Sequence, residues 1–171
     1  MSSIQKNSLR GVLSSIYKIL TEDETLMRLL HYPSTSDRAS TPDPLDKSLP
    51  DIVDSDEYWD IVDQTIKTFN KPSNIEEDVI NRIYLYASRR RPTFNNYLQA
   101  SQQVTLDIFV NEKFDSDLRF YALIDRVNEL LALEHIEGMY GKLDFVGGDP
   151  RQAPLGYSLY ENVYVYSTSK K

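Results

Sequence analysis

Three consecutive arginines, Arg89 to Arg91, form the only dense basic cluster of a chain whose formal net charge is −7. The cluster stops at Pro92 and is followed by Asn95, Asn96 and Tyr97. Guanidinium groups bind carboxylates through paired, forked hydrogen bonds, so such a cluster can recognise an acidic surface. The alternative is a solvated, charged turn that keeps the edge of a sheet soluble. Both interpretations remain open on the cluster alone.

Carboxylates are dense in a second segment, DIVDSDEYWDIVD, which starts at Asp51. Clustered carboxylates could bind calcium, but this segment lacks the glycine and the spaced acids of an EF-hand loop. The start of a helix is the better interpretation, because acids in the first turn complement the helix dipole. We therefore expect a solvated acidic face here.

Residues suited to catalysis or metal binding are scarce. The chain has no cysteine, which excludes disulfides and thiolate chemistry. Its two histidines, His31 and His135, have no metal-ligand spacing. We find no nucleophile elbow, phosphate loop or dinucleotide-binding fingerprint. We therefore expect no enzymatic activity, no metal and no cofactor.

Charge and length limit the remaining classes of function. The acidic balance argues against broad binding of nucleic acid, which needs a basic face. No apolar run approaches the roughly 20 residues of a membrane span, and the N-terminus has no signal-peptide pattern. The 171 residues are typical of one domain. We expect a single domain over residues 1–171 that works or assembles inside a cell.

Helical spacing dominates the N-terminal third. Apolar residues recur every three or four positions between Leu9 and Leu20, which predicts a first helix. The sequence TEDE predicts a capping box between Thr21 and Glu24 at the start of a second helix, which Tyr32-Pro33 ends. The Pro-, Ser- and Asp-rich stretch at about 33–54 predicts a long loop that is mobile or ordered by a partner. A third helix capped by Ser55 follows, although a strand for part of this stretch is left open.

Period-two alternation marks the central strands. Residues Val104, Leu106, Ile108 and Val110 share one face of SQQVTLDIFVNE, and VINRIYLYAS precedes it. These two strands predict an antiparallel hairpin with the arginines in the loop at its tip. The segment FDSDLRFYALIDRVNELLAL predicts the strongest helix, capped by Asp115 or Ser116. A short strand KLDFVGG, a turn GGDPRQAPLG and a long strand YSLYENVYVYS complete the pattern.

This order of elements predicts an α+β fold. N-terminal helices precede a hairpin–helix–hairpin unit, which gives a four-stranded, mostly antiparallel sheet with helices on one face. In the last strand, Tyr160, Tyr164 and Tyr166 fall on the face opposite the valines. Two interpretations stay open for these tyrosines. They either pack beneath the N-terminal helices or form a subunit interface, where tyrosine is enriched.

The segment RIYLYASRRRPTFNNYLQASQQVTLDIFVNEKFDSDLRFYALIDRVNELL and the ending FVGGDPRQAP…GY…Y carry a resemblance. Over about residues 75–167, the chain resembles small head–tail joining proteins of phages and prophages. The order of its elements is similar to tail terminator (tail completion) proteins of long-tailed phages. The resemblance implies a structural virion protein of the neck or tail that assembles in the host cytoplasm.

That family implies partners rather than chemistry. Its members form homo-oligomeric rings, with six copies, that cap the tail tube protein and dock to the head connector or stopper protein. DNA would then only pass through the lumen, and no membrane is involved. The resemblance makes Arg89 to Arg91, Asn95, Asn96 and Tyr97 candidates for an interface. The alternatives are another connector adaptor of the neck and a monomeric binding module unrelated to virions.

Overall fold

The computed structural model describes residues 8–33, 43–69, 75, 78–94 and 96–169. The chain has an α+β fold in which helices cover one face of a five-stranded mixed sheet. No helix of the described ranges is both long and apolar enough to cross a membrane. The elements in chain order are α1 (Leu9–Glu22), α2 (Glu24–His31), α3 (Tyr58–Thr65), β1 (Ile66–Lys67), β2 (Arg82–Thr93), β3 (Asn96–Asn111), a 3₁₀ helix (Glu112–Asp117), α4 (Arg119–Leu131), β4 (Asp144–Arg151) and β5 (Tyr157–Ser169).

The strands lie in the order β1-β2-β3-β5-β4. All neighbours are antiparallel except β1 and β2, which are parallel. The predicted four-stranded sheet with helices on one face is confirmed. The fifth strand is the two-residue β1, which follows α3 directly. It lies within the stretch for which a strand in some part was left open.

The main core lies between the sheet and the helices. The predicted inner face of β3 is confirmed, since Val104, Leu106, Ile108 and Val110 are all fully buried. Their ladder partners on β5 face the same side, and apolar residues of all four helices complete the cluster. The helical partners include Val12, Ile16, Leu26, Val62, Leu123 and Val127.

The predicted capping box between Thr21 and Glu24 is wrong. Thr21 belongs to the last turn of α1, and its hydroxyl donates to the Lys18 carbonyl at 3.2 Å. Asp23 caps α2 instead, because its Oδ1 accepts from the Leu26 amide at 2.8 Å. Glu24 faces a different segment and accepts from the Ile52 amide. The two helices are almost continuous, which leaves only Asp23 between them.

Part of the predicted loop at 33–54 is held in place by one buried arginine. Arg28 donates to the carbonyls of Asp46 and Leu49, both at 2.9 Å, and pairs with Asp51 at 2.6 Å. Ile52 is buried beside it. The composition of the segment does not predict this contact, because hydrogen bonds from Arg28 to backbone carbonyls help to order the segment. Residues 34–42 of the predicted loop lie outside the described residues.

Two predicted caps differ in detail. α3 begins at Tyr58 without a side-chain cap, and the Ser55 hydroxyl donates to the Ile52 carbonyl instead. Asp115 lies in the 3₁₀ helix, yet its Oδ1 accepts from the Phe120 amide at 2.9 Å. Asp115 therefore satisfies the first turn of α4 from outside that helix.

The predicted turn GGDPRQAPLG is too long, because β4 continues to Arg151. Gly148 lies opposite Asn162, and a Cβ at Gly148 would come within 2.6 Å of the Asn162 Oδ1. This glycine therefore serves close packing against β5, and the turn itself starts only after the strand.

Candidate assembly interface

Strands β2 and β3 continue past the core as an exposed ribbon, which we define as residues 88–93 of β2 and 96–101 of β3. The first four residues of β2 are buried, whereas residues 88–94 are all exposed. The pairing continues along the ribbon through Arg90↔Gln102, Arg91↔Ser101 and Pro92↔Ala100. The end of β5 borders β3 as far as Gln99. The ribbon is thus a regular β structure that extends from the sheet.

The prediction that Arg89, Arg90 and Arg91 form a loop at the hairpin tip is wrong. All three lie within β2. A register shift between Ala87 and Arg90 accommodates an irregular stretch, after which the ladder resumes. Charged residues and proline are common on edge strands, so this sequence is compatible with strand geometry at an open edge.

The outer edge of β2 has little strand cover. β1 pairs only with Ile83 and Tyr84, and no other strand of the described residues borders β2 on that side. Three arginines and a proline on such an edge oppose the addition of a further strand. A partner would therefore contact the side chains of the ribbon and not its backbone.

Within the described residues, the side chains of the three arginines have few partners. Arg90 donates from Nη2 to the Thr168 hydroxyl at 3.2 Å, which fixes it across β3. None of the three forms an ion pair with any residue of the described ranges. Arg89 and Arg91 therefore present their charge to the surroundings of the molecule.

β2 ends at Thr93, and Phe94 follows it in a turn. Phe94 is 90% exposed, although it is a large apolar side chain next to a charged strand. Asn95 lies outside the described residues, while Asn96 and Tyr97 occupy the start of β3. Sequence reasoning missed Phe94. The available signal was an aromatic residue directly before two asparagines that suit a turn.

Tyr160, Tyr164 and Tyr166 lie on the face of the sheet that the helices cover, but the side-chain contacts of Tyr160 and Tyr164 with a helix are with α4 and not with the N-terminal helices. Tyr164 and Tyr166 are 0% and 2% exposed, and burial raises the pKa of both hydroxyls. The Tyr164 hydroxyl donates to Asn128 Oδ1 at 3.2 Å, and Tyr160 packs edge-on against Phe120. Tyr164 and Tyr166 are thus not accessible to a partner subunit.

The opposite face of the sheet holds a small polar cluster. The Tyr86 hydroxyl donates to Asp107 Oδ2 at 2.9 Å, and Arg151 pairs with Glu161 at 2.7 Å directly opposite Asp107. Burial raises the pKa of Asp107 to about 6, and nearby Glu161 adds to that rise. Its Oδ1 is buried without a hydrogen-bond partner. Sequence reasoning missed this cluster, because Asp107 read as an ordinary outward-facing residue.

Helix α3 and the two residues before it carry an acidic, aromatic surface, which we call the α3 face: Asp56, Glu57, Trp59, Asp60 and Asp63. All five are exposed, and Trp59 is 69% exposed. Trp59, Asp60 and Asp63 lie within the helix at spacings that place Asp63 beside the other two, whereas Asp56 and Glu57 precede the helix. Asp63 has an ion pair, with Lys67 at 3.5 Å. The predicted solvated acidic helix start is therefore confirmed.

Within the described ranges, no three His, Asp or Glu side chains are grouped as a metal site would require. An apolar groove of about 630 Å³ lies along α1 and includes Leu9, Leu13 and Tyr17. Among the described residues, its lining holds one cation, Arg10, and no carboxylate or imidazole. The groove therefore provides no acid–base pair.

Comparison with known proteins adds a family to this geometry. No curated protein matches the sequence. The model of the YomW family matches residues 23–166, which includes α2, the whole sheet except the end of β5, and the ribbon. The YomW proteins are phage-derived, in agreement with the expected phage origin. With most of its length matched, the chain belongs to the YomW family.

Proposed function

We propose that this protein is a structural component of phage assembly, a ring-forming tail terminator that caps the tail tube and joins the tail to the head connector. The observation that carries the proposal is the ribbon. It presents Arg89, Arg91 and Phe94 outside the core, with no ion pair to the rest of the described chain. Membership of a phage-derived family supports the same assignment.

The ribbon has the composition of a protein interface. Arginine and aromatic residues are enriched at such interfaces and provide most of their hot spots. An exposed phenylalanine is costly to keep in water, and its position at the tip gives it first contact with a partner. Cross-strand pairing already orders the backbone of the ribbon, which lowers the ordering entropy that binding costs.

The proposed role needs no catalytic residue. The protein would act by binding copies of itself, the tail tube and the connector. DNA would pass through the lumen of the ring without being bound specifically. The net charge of −7 suits such passage, since an acidic protein holds DNA weakly.

Removal of the gene from a phage that carries it tests the proposal, with particles viewed by electron microscopy. Without its cap, tail growth has no stop, so we expect tails of variable length and separate filled heads. Expression of the wild-type chain from a plasmid restores joined particles of uniform tail length. Normal particles without the gene would contradict the proposal. Separate tails of uniform length would favour a connector adaptor instead.

A further inference from the structure

Two sites of opposite sign each carry several exposed charges that have no ion pair within the described ranges. The ribbon carries Arg89 to Arg91, and the segment from Asp51 to Asp63 carries six carboxylates with no lysine or arginine. Of these six, Asp51 pairs with Arg28 and Asp63 with Lys67. Asp54, Asp56, Glu57 and Asp60 have no ion pair within the described ranges.

These two sites lie near different ends of β2 within one chain. α3 ends beside Ile66, which pairs with Ile83 near the start of β2. Arg90 lies seven residues further along that strand, at roughly 20 Å. Glu57 lies close enough to His31, at the end of α2, to oppose the lowering of its pKa by burial. That end of α2 also faces the start of β2, since Asn81 donates to the Leu30 carbonyl.

We propose that the ribbon of one copy of this chain docks on the α3 face of the next copy. This inference rests on the proposed function, because it assigns the contact that would build the ring. Arg89 and Arg91 bind the carboxylates of Asp56 and Asp60, with forked hydrogen bonds.

Trp59 gives the contact its apolar part. It is 69% exposed between Asp56 and Asp60, and an arginine stacked on its ring gains cation–π energy. Phe94 at the tip can cover further apolar surface on the neighbour. Tryptophan and arginine are also the residues most enriched at interface hot spots.

The geometry of the contact fixes the type of assembly. Its two surfaces are different, so each copy offers one to each neighbour in a head-to-tail arrangement. Such an arrangement closes into a ring when the rotation between copies allows it. The charged edge of β2 excludes a continuous sheet between copies, so side chains make the contact.

Charge reversal on each surface tests the docking. The ribbon variant carries Arg89→Glu and Arg91→Glu, and the face variant carries Asp56→Arg and Asp60→Arg. A third chain carries all four changes. A control with Lys113→Glu and Lys142→Glu has the same net charge as the ribbon variant, at two exposed lysines. Light scattering gives the mass of each chain, and thermal unfolding confirms that each one is folded.

We expect the wild type and the control to assemble, and the ribbon and face variants to remain monomeric. An equal mixture of these two variants regains the assembled mass, because each contact between unlike copies joins surfaces of opposite charge. The four-site chain regains it as well, because its ribbon is acidic and its α3 face is basic. The emission of Trp59, the only tryptophan, shifts to shorter wavelength in every sample that assembles.

Three results would contradict the docking without contradicting the proposed ring. These results are assembly of the ribbon variant like the wild type, a four-site chain that stays monomeric, and a control that loses assembly as well. A wild-type chain that is monomeric both alone and with isolated tail tubes contradicts the proposed function itself.

Discussion

Two groups of arginines in this molecule have opposite environments. In the helical layer, Arg119 is 0% exposed and donates to the carbonyls of Leu29 and Tyr32 at 2.6 and 2.7 Å. In the ribbon, Arg89 and Arg91 are exposed and have no ion pair within the described ranges. The same side chain is a structural clamp in one region and an available binding group in the other.

The difference follows from the cost of desolvation. A buried guanidinium must find acceptors, so Arg119 and Arg28 each gather several oxygens from separate segments of the chain. An exposed guanidinium is hydrated and needs no acceptor to fold. Arginines in the ribbon can therefore be changed without loss of the fold, whereas those in the helical layer cannot.

Arg119→Met should give the largest effect on stability. Methionine fills a similar space, but the carbonyls of Leu29 and Tyr32 lose their charged donor. We expect the free energy of unfolding to fall by about 3–5 kcal/mol, because each hydrogen bond to a charged group contributes about 1.5–3 kcal/mol. Urea denaturation measures it, with Arg89→Met in the ribbon as the matched control.

Arg89→Met should change the free energy of unfolding by less than about 0.5 kcal/mol, the level of an ordinary surface substitution. An equal loss in the free energy of unfolding for Arg89→Met and Arg119→Met would contradict the stated difference between the ribbon and the helical layer.

Leu106→Ala sharpens the comparison along one strand, because β3 runs from the ribbon into the core. Leu106 is fully buried, and its removal leaves a cavity between the sheet and the helices. We expect a loss of about 2–5 kcal/mol in the free energy of unfolding.

Leu155→Ala is the matched control for this change, since Leu155 is 93% exposed. Phe94→Ala, at the exposed tip of the ribbon, should likewise stay within about 0.5 kcal/mol. A loss below that level for Leu106→Ala would place this residue outside the core.

Periodicity predicted the elements that bury a regular face. The alternation of β3 and the three-and-four spacing of α1 and α4 were sufficient to predict the sheet and its helical cover. Periodicity does not report contacts between distant charges and backbone carbonyls. Arg28 and Arg119 therefore went unnoticed, and residues 43–53 were read only as a loop.

The candidate interface was predicted in composition but not in conformation. The sequence identifies the basic cluster, yet the local sequence of three arginines and a proline favours a turn over a strand. In the structure, cross-strand pairing with β3 decides the conformation, and an open edge tolerates all four residues. The two interpretations of the β5 tyrosines stay open on the sequence, because a pattern of faces does not say which face the helices cover.

Asp107→Asn should give the smallest of the three stability effects, and one that depends on pH. The pKa of Asp107 is about 6 in the folded state, above the value of about 3.9 for an unfolded chain. The folded state therefore binds the proton more tightly, and stability falls as pH rises from about 4 to 6. Above that window the wild type carries the full cost of a partly buried charge.

Asparagine keeps an acceptor for Tyr86 and removes the charge. We expect Asp107→Asn to be more stable than the wild type by about 1–2 kcal/mol at pH 8, after solvent screening is allowed for. The two proteins should converge below pH 4. Chemical denaturation at pH 4, 6 and 8 checks this, with exposed Asp144→Asn as the control. A wild-type stability that rises between pH 4 and 6 relative to the variant would contradict the assignment.

The central claim is that the ribbon arginines serve assembly and not folding. The most direct test is the mass in solution of the wild type and of the chain with Arg89→Glu and Arg91→Glu, measured together with their free energies of unfolding. The account predicts an assembled wild type and a variant at the monomer mass of 19.8 kDa, with stabilities within about 0.5 kcal/mol. A variant that assembles like the wild type, or one that fails only because it unfolds, would contradict it.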